Sequence, residues 1–205
     1  MKSIILIGGG GHCHSCIDVI ETGGFYKVAG IVERKGYETS TDFDYPLLGY
    51  DEDLPVLLKK YQSALLTVGQ IKNSNIRSRL YSKLKDLGAN LPSVISPHSY
   101  VSSNAKIYSG SIVMHGAIVN TSSLINENCI INSQALIEHN VVIGKHCHIS
   151  TGSKINGDAI IESGVFIGSG AIIREGVRIG SDSVIGAGTV VLKDLPSRTI
   201  LRGNK

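Results

Sequence analysis

VSSNAKIYSGSIVMHGAIVNTSSLINENCIINSQALIEHNVVIGKHCHISTGSKINGDAIIESGVFIGSGAIIREGVRIGSDSVIGAGTVVLKDL, residues 101–195, advances in blocks of six. The first residue of each block is Val101, Ile107, Val113, Val119 and so on through Ile185 and Val191, so that all sixteen blocks open on Val or Ile. The fifth residue is no larger than valine from Ala105 and Ser111 to Ser183 and Thr189, until Leu195 departs from the pattern. A period of six fits neither a helix nor a flat half-buried strand. It fits a solenoid in which the chain turns a corner every six residues, three short strands close one triangular coil, and each coil pairs in parallel with the last. The β-branched residue fills the inside of each strand, and the small one sits inside at the corner. Sixteen blocks at three per coil make a little over five coils. Glycines such as Gly144, Gly168, Gly180 and Gly186 are read as serving the φ values of the tight turns.

The rest of the chain sets limits on partners. It has 205 residues, a net charge of +3 of mixed sign and 5% aromatic residues, which argues for a small-molecule substrate and against a nucleic-acid surface. The start, MKSIILIGGGG, has too short an apolar run for a signal peptide or a spanning helix, and a cytoplasmic protein without membrane insertion is expected. Cys129 and Cys147 lie 18 residues apart at the interior position and are expected to stack as buried small hydrophobes. Cys13 and Cys16 form a C-x-x-C that admits a metal or redox reading, against which stands the reading of two helix residues with at least one facing a sheet.

In the first 96 residues, Ser3–Ile7 reads as a strand, Gly8 to His12 as a turn opening a helix that ends near Gly23, and Lys27–Val32 as a second strand ending on Glu33. This is the start of a Rossmann-like unit, in which helix N-terminal amides meet an anion and a carboxylate meets a ribose. The dinucleotide fingerprint is incomplete, because Cys13 stands where a third glycine belongs. A polar stretch follows from Tyr37 to Tyr50, then a helix over 51–61 and a strand over Ala64–Val68 closed by Gly69. A further helix over 73–87 has Ile76, Leu80, Leu84 and Leu87 as its apolar stripe and Gly88 as its stop. Residues 1–96 are thus expected to form a Rossmann-like domain and residues 97–205 the β-helix domain.

The run IGKHCH, IGSGAI, IGSDSV, IGAGTV, preceded by this small βαβ domain, resembles the hexapeptide-repeat sugar O- and N-acyltransferases. Their types are the sialic acid O-acetyltransferases and the bacterial N-acetyltransferases of nucleotide-linked 4-amino-sugars, of bacillosamine and perosamine kind. The resemblance implies a left-handed parallel β-helix, acetyl-CoA as cosubstrate, a nucleotide-sugar acceptor for surface glycan biosynthesis, and a homotrimer with active sites between subunits. It puts Gly10, Gly11 and His12 against the sugar-nucleotide, Glu33 and Arg34 near its nucleoside, and Gly69 in the same cleft. It makes His139 the general base, a neutral imidazole of ordinary pKa about 6.5 that takes the amine's proton while backbone amides hold the oxyanion. It assigns His148, Gly157, Ser169 and Ala187 to the acetyl-CoA groove. Where such enzymes often carry an acid after the base, this chain has Asn140, so either Asn140 orients the ring or another carboxylate does. Glu138 is expected to point to the opposite side.

Two other readings are set beside this one. Zinc enzymes that share such a prism use three histidines at coil-related spacing, which His115, His139, His146 and His148 lack, and no metal site is assigned; His14, His98 and His115 are read as surface residues. A non-catalytic nucleotide-sugar-binding subunit is the third. Acetylation of an amine is preferred to O-acetylation of a sialic acid-like sugar, although both need the same base. The last five residues, Leu201 to Lys205, are shorter than the proline-containing tail the resemblance leads one to expect, so cover over the coenzyme site is expected to be reduced or borrowed.

Overall fold

A computed structural model describes residues 1–37 and 44–203, so Asn204 and Lys205 and much of the polar stretch after Tyr37 lie outside the described residues. The N-terminal layer consists of β1 (Lys2–Ile7), α1 (Gly11–Gly23), β2 (Tyr26–Glu33), β3 (Leu47–Tyr50), α2 (Leu54–Tyr61), β4 (Ser63–Leu66) and α3 (Asn75–Asp86). The four strands form one parallel sheet in the order β3-β2-β1-β4. β1 is apolar on both faces because both are covered, as a parallel sheet requires. Ile4 and Leu6 pack on α1 through Cys13, Cys16, Val19 and Ile20. Ile5 and Ile7 pack on α2 and α3 through Leu54, Leu58, Leu80 and Leu84. The edge strand β3 was not foreseen, being four residues long and half-buried.

All four cysteines are free and buried, and burial pushes the Cys13 thiol up to about 11. Cys13 and Cys16 are therefore helix residues of the core. α3 differs from its expected face. Ile76 is 53% exposed, and the buried side is Arg77, Leu80, Tyr81 and Leu84. The shift of one residue follows from what α3 meets, which is a polar edge of the prism as well as the sheet. Tyr81 Oη lies 2.8 Å from Ser109 Oγ.

From Val94–Ile95 onward the chain is a parallel β-helix with three sheets of seven, six and five two-residue strands. Pairing follows an 18-residue register, as in Ile130 with His148 and Ile131 with Ile149. The second residue of each strand points inward, and from Val113 to Val191 all of these are at most 2% exposed. Each such Val or Ile contributes about 1.5–3 kcal/mol of burial. The small fifth positions close the corners, where Cys129 and Cys147 each give their thiol to a carbonyl at 3.0 Å.

Two details correct the expectations. In the blocks opening on Ile107 through Ile185 the left-handed residue of the turn is the fourth: Ser122, Asn128, Gln134, Asn140, His146, Asp158 and Asp182 all have φ of 58–60°, and Gly110, Gly116, Gly152, Gly164, Gly170, Gly176 and Gly188 take that place in the others. Gly144, Gly168 and Gly180 are instead needed for space. A Cβ on Gly144 would lie 2.5 Å from the Ser163 amide nitrogen of the next coil. At the end of the prism the register shortens, with Leu195 bridging Ile179 and Ile200–Leu201 pairing with Val184–Ile185, 16 residues back. Leu195 is large because it has moved into the inward place of a Val or Ile.

The N-terminal domain sits on the outer face of the seven-stranded sheet, where Ile112, Met114 and Ile130 join the α1 core. The other two outer faces carry no part of the described N-terminal domain in their core clusters. Among the described residues, no helix is long and apolar enough to cross a membrane.

Candidate active site

Polar residues converge in two places. The first is the mouth of the N-terminal domain. β1 runs into Gly8, whose φ of +100° turns the chain and whose lack of a Cβ leaves room for Val68. Gly10 and Gly11 are exposed, with nothing within 4 Å of where a Cβ would stand. Gly10 supplies no side-chain cap, and the first turn of α1 has no acid, so its amides face an open space suited to an anion. Glu33 is 6% exposed and accepts from the Gly9 amide and, at 3.2 Å, from the Arg34 amide. It fixes the glycine turn, while Arg34 is exposed. Gly69 stands opposite, where a Cβ would lie 3.8 Å from the His12 Cβ.

His12 lies below this mouth with its ring 6.3 Å from that of His148. Its Nε2 is buried without a hydrogen-bond partner, as is Oε1 of Gln70. His148 is 7% exposed, its Nδ1 2.7 Å from the Gln70 carbonyl and its Nε2 3.2 Å from Asn132. Burial, reinforced by Arg77 and His148, pushes His12 down to about 3, and burial holds His148 at about 4. Both rings are therefore neutral at working pH. Arg77, 1% exposed, donates to the carbonyls of Leu66 and Val68 at 3.3 and 2.6 Å. Its other nitrogen donates to the backbone and side-chain oxygens of Asn128 at 3.2 and 2.7 Å. One guanidinium thus joins β4, the loop after it and the prism.

The second place is an edge of the prism, after the strand Leu136–Ile137. His139 is exposed there, and its ring lies over Gly157 of the next coil, where a Cβ would be 2.6 Å from Cε1 and 2.7 Å from Nε2. Asn140 Nδ2 stands 3.4 Å from His139 Nδ1 and donates to Asp158 Oδ1 at 3.0 Å. Glu138 is turned away and accepts from Asn120 at 3.0 Å. Ser169 and Ala187, both exposed, stand on a different edge, beside the seven-stranded sheet, where Ser169 Oγ is 3.0 Å from Ser150 Oγ. The six-stranded sheet lies between the two edges.

One chain therefore brings together Gly10, Gly11, His12, Gly69 and His148, and separately His139, Asn140 and Gly157. Sequence reading missed Arg77, Gln70 and Asp158, the last of which the 18-residue coil spacing from Asn140 would have signalled. His115 is not a bare surface residue. Its Nδ1 is 2.6 Å from Ser96 Oγ and its Nε2 2.8 Å from the Asp18 carboxylate, and with Ser96 2% exposed these contacts tie α1 to the prism rather than present a nucleophile.

Two protein families match the chain, the PglD N-terminal domain over residues 3–84 and the bacterial transferase hexapeptide (six repeats) over 122–157 and 158–193. The chain is 32% identical to PerB from Caulobacter crescentus, solved in complex with CoA and GDP-perosamine, with a TM-score of 0.87 over 96% of this chain and 92% of that one. It is 29% identical to the acetyltransferase domain of PglB from Neisseria gonorrhoeae FA1090, with a TM-score of 0.87 over 96% and 94%. That domain has also been solved with acetyl coenzyme A. WeeI from Acinetobacter baumannii AYE, at 22% identity and a TM-score of 0.84 over 97% and 95%, shares the fold. Comparison with curated proteins gives no match.

Proposed function

The chain belongs to the hexapeptide-repeat acetyltransferases that carry a PglD N-terminal domain, and from that membership we propose that it transfers the acetyl group of acetyl-CoA to the amine of a nucleotide-linked amino-sugar. The acceptor's diphosphate lies at the open amides of Gly10 and Gly11, with Arg34 and Glu33 toward the nucleoside and His12 and Gly69 along the sugar. His12, neutral, offers a buried ring nitrogen with no partner of its own to a polar group of the sugar.

His139 carries the reading. It is an exposed imidazole with its nitrogens clear of the core, seated on a glycine that leaves room for the ring and no more. It takes the proton from the attacking amine. Acetyl-CoA supplies a thioester-activated acetyl group, and Gly157, Ser169 and Ala187 are small enough to let its arm lie close to the coils. His148, bound to Gln70 and Asn132, forms the wall between this groove and the sugar mouth. All four cysteines are buried, so direct transfer with a base is favoured over an acyl-enzyme. Because the base and Gly157 stand on one edge of the prism and Ser169 and Ala187 on another, a second copy is needed to bring such edges face to face. A homotrimer with its sites between subunits meets that need.

Coenzyme A release is the test, measured with acetyl-CoA and UDP- and GDP-linked 4-amino-sugars beside free sialic acid. One amino-sugar nucleotide is expected to turn over, and His139→Ala to lower kcat by about a hundredfold or more. Turnover with sialic acid alone would reassign the acceptor to a hydroxyl, and an unaffected variant would remove His139 from the chemistry.

A further inference from the structure

The acidic partner of His139 is not adjacent to it in sequence. We propose that Asp158, one coil further along, is the positioning residue of His139 and acts through the side-chain amide of Asn140. The proposal rests on His139 being the base.

The coil repeat builds the arrangement. Residues 140 and 158 are 18 apart and both occupy the left-handed corner position, with φ of 59° and 60°, so their short side chains project from the same edge on successive turns. The Asp158 amide donates to the His139 carbonyl at 3.0 Å, and the Asn140 amide donates to the Thr121 carbonyl at 3.1 Å, so the backbone on both sides is fixed. Across this ladder the Asn140 amide nitrogen spans Asp158 Oδ1 at 3.0 Å and His139 Nδ1 at 3.4 Å. Glu138, the carboxylate next to His139, is committed to Asn120 and faces elsewhere.

The chemistry of the three groups then assigns their roles. A carboxylate only accepts, so it holds the donor end of the Asn140 amide toward itself. At 3.4 Å the contact from that amide to Nδ1 is too long to lock the ring in one tautomer. When the ring takes the substrate's proton, both its nitrogens become donors and it gains a positive charge. Asp158 supplies the opposite charge across the Asn140 side chain, at a separation fixed by the backbone hydrogen bond from the Asp158 amide to the His139 carbonyl.

Asp158→Asn removes the charge and keeps the shape at an exposed position, where folding is insensitive to such a change. The expected result is a fall in kcat of about tenfold, a part of the factor that general-base catalysis supplies, with KM for the acceptor within about twofold. The acid limb of the kcat/KM profile moves to lower pH. The double variant Asn140→Asp with Asp158→Asn places the carboxylate beside the ring and recovers most of the loss, which a merely structural role would not allow. Titration of the His139 ring by NMR reads the same coupling without any acceptor sugar, and its midpoint is expected to fall in Asp158→Asn and return in the double variant. An unchanged kcat and an unchanged midpoint in Asp158→Asn would overturn the proposal while leaving the His139 base intact. A shifted midpoint with full activity in His139→Ala would keep the coupling and remove the base.

Discussion

Two histidines of the same prism, nine residues apart in sequence, have opposite surroundings. His148 projects from the middle of a sheet face and is covered by the N-terminal domain, with both ring nitrogens occupied. His139 projects from an edge, is exposed, and rests on a glycine. The repeat gives each residue its direction, and the second domain decides whether that direction meets protein or solvent. The covered position becomes part of a joint, and the open one is left available for chemistry.

The joint is where the largest effects are expected. Arg77 satisfies four oxygens from three parts of the chain, and Arg77→Met would fill much of its volume while leaving all four without that donor. Buried orphaned acceptors cost about 1–3 kcal/mol each. A loss of roughly 3 kcal/mol or more is expected, seen as a fall in Tm of about 6 °C or more for a chain of this size. A smaller fall would mean that the domains hold together through their apolar contacts alone.

A second effect comes from the neutral pair at the joint. His12 and His148 are held at about 3 and about 4 when folded, against an ordinary value of 6.5, so the unfolded chain binds more protons wherever the pH lies between these limits. Stability is fully present above 6.5 and is lost as the pH falls from there toward 4. Each histidine contributes at most about 1.4 kcal/mol per pH unit. Urea midpoints measured between pH 7 and 5 should fall with acidity, and His148→Gln should remove about half of the slope. A flat profile would show that the joint admits water when the rings charge.

The difference between the two places also explains what could be read from the sequence. The prism was legible because a six-residue repeat commits every side chain to a direction, and His139 could be recognised as outward-facing from its place in its block. The same spacing held Asp158, since a neighbour on this surface is 18 residues away rather than one or two. The joint was not legible, because it depends on how α3 lies across the prism. Arg77 interrupts an apolar helical face, and periodicity alone assigned the stripe to Ile76 and Leu87 instead. Gly144 and its equivalents could be named as necessary but for the wrong reason, turn φ rather than space, because the atom that excludes a Cβ belongs to the following coil.

The smallest effect on folding should fall at the open histidine, and it is the one that separates geometry from stability. In Gly157→Ala the new Cβ would stand 2.6 Å from His139 Cε1. The obstructing atom is the end of a side chain that is free to rotate into solvent, whereas at Gly144 it is backbone that cannot move. Gly157→Ala should therefore unfold at nearly the wild-type temperature, within about 0.5 kcal/mol. The ring, however, has to leave its seat and with it the contact to Asn140. With His139 as the proposed base, misplacement of the ring by about 1 Å can cost as much as a hundredfold, so kcat should fall at least about tenfold, with the acceptor's KM little changed. If stability falls with activity, the edge at His139 is packed as tightly as the joint, and the contrast between the two histidines is one of exposure only.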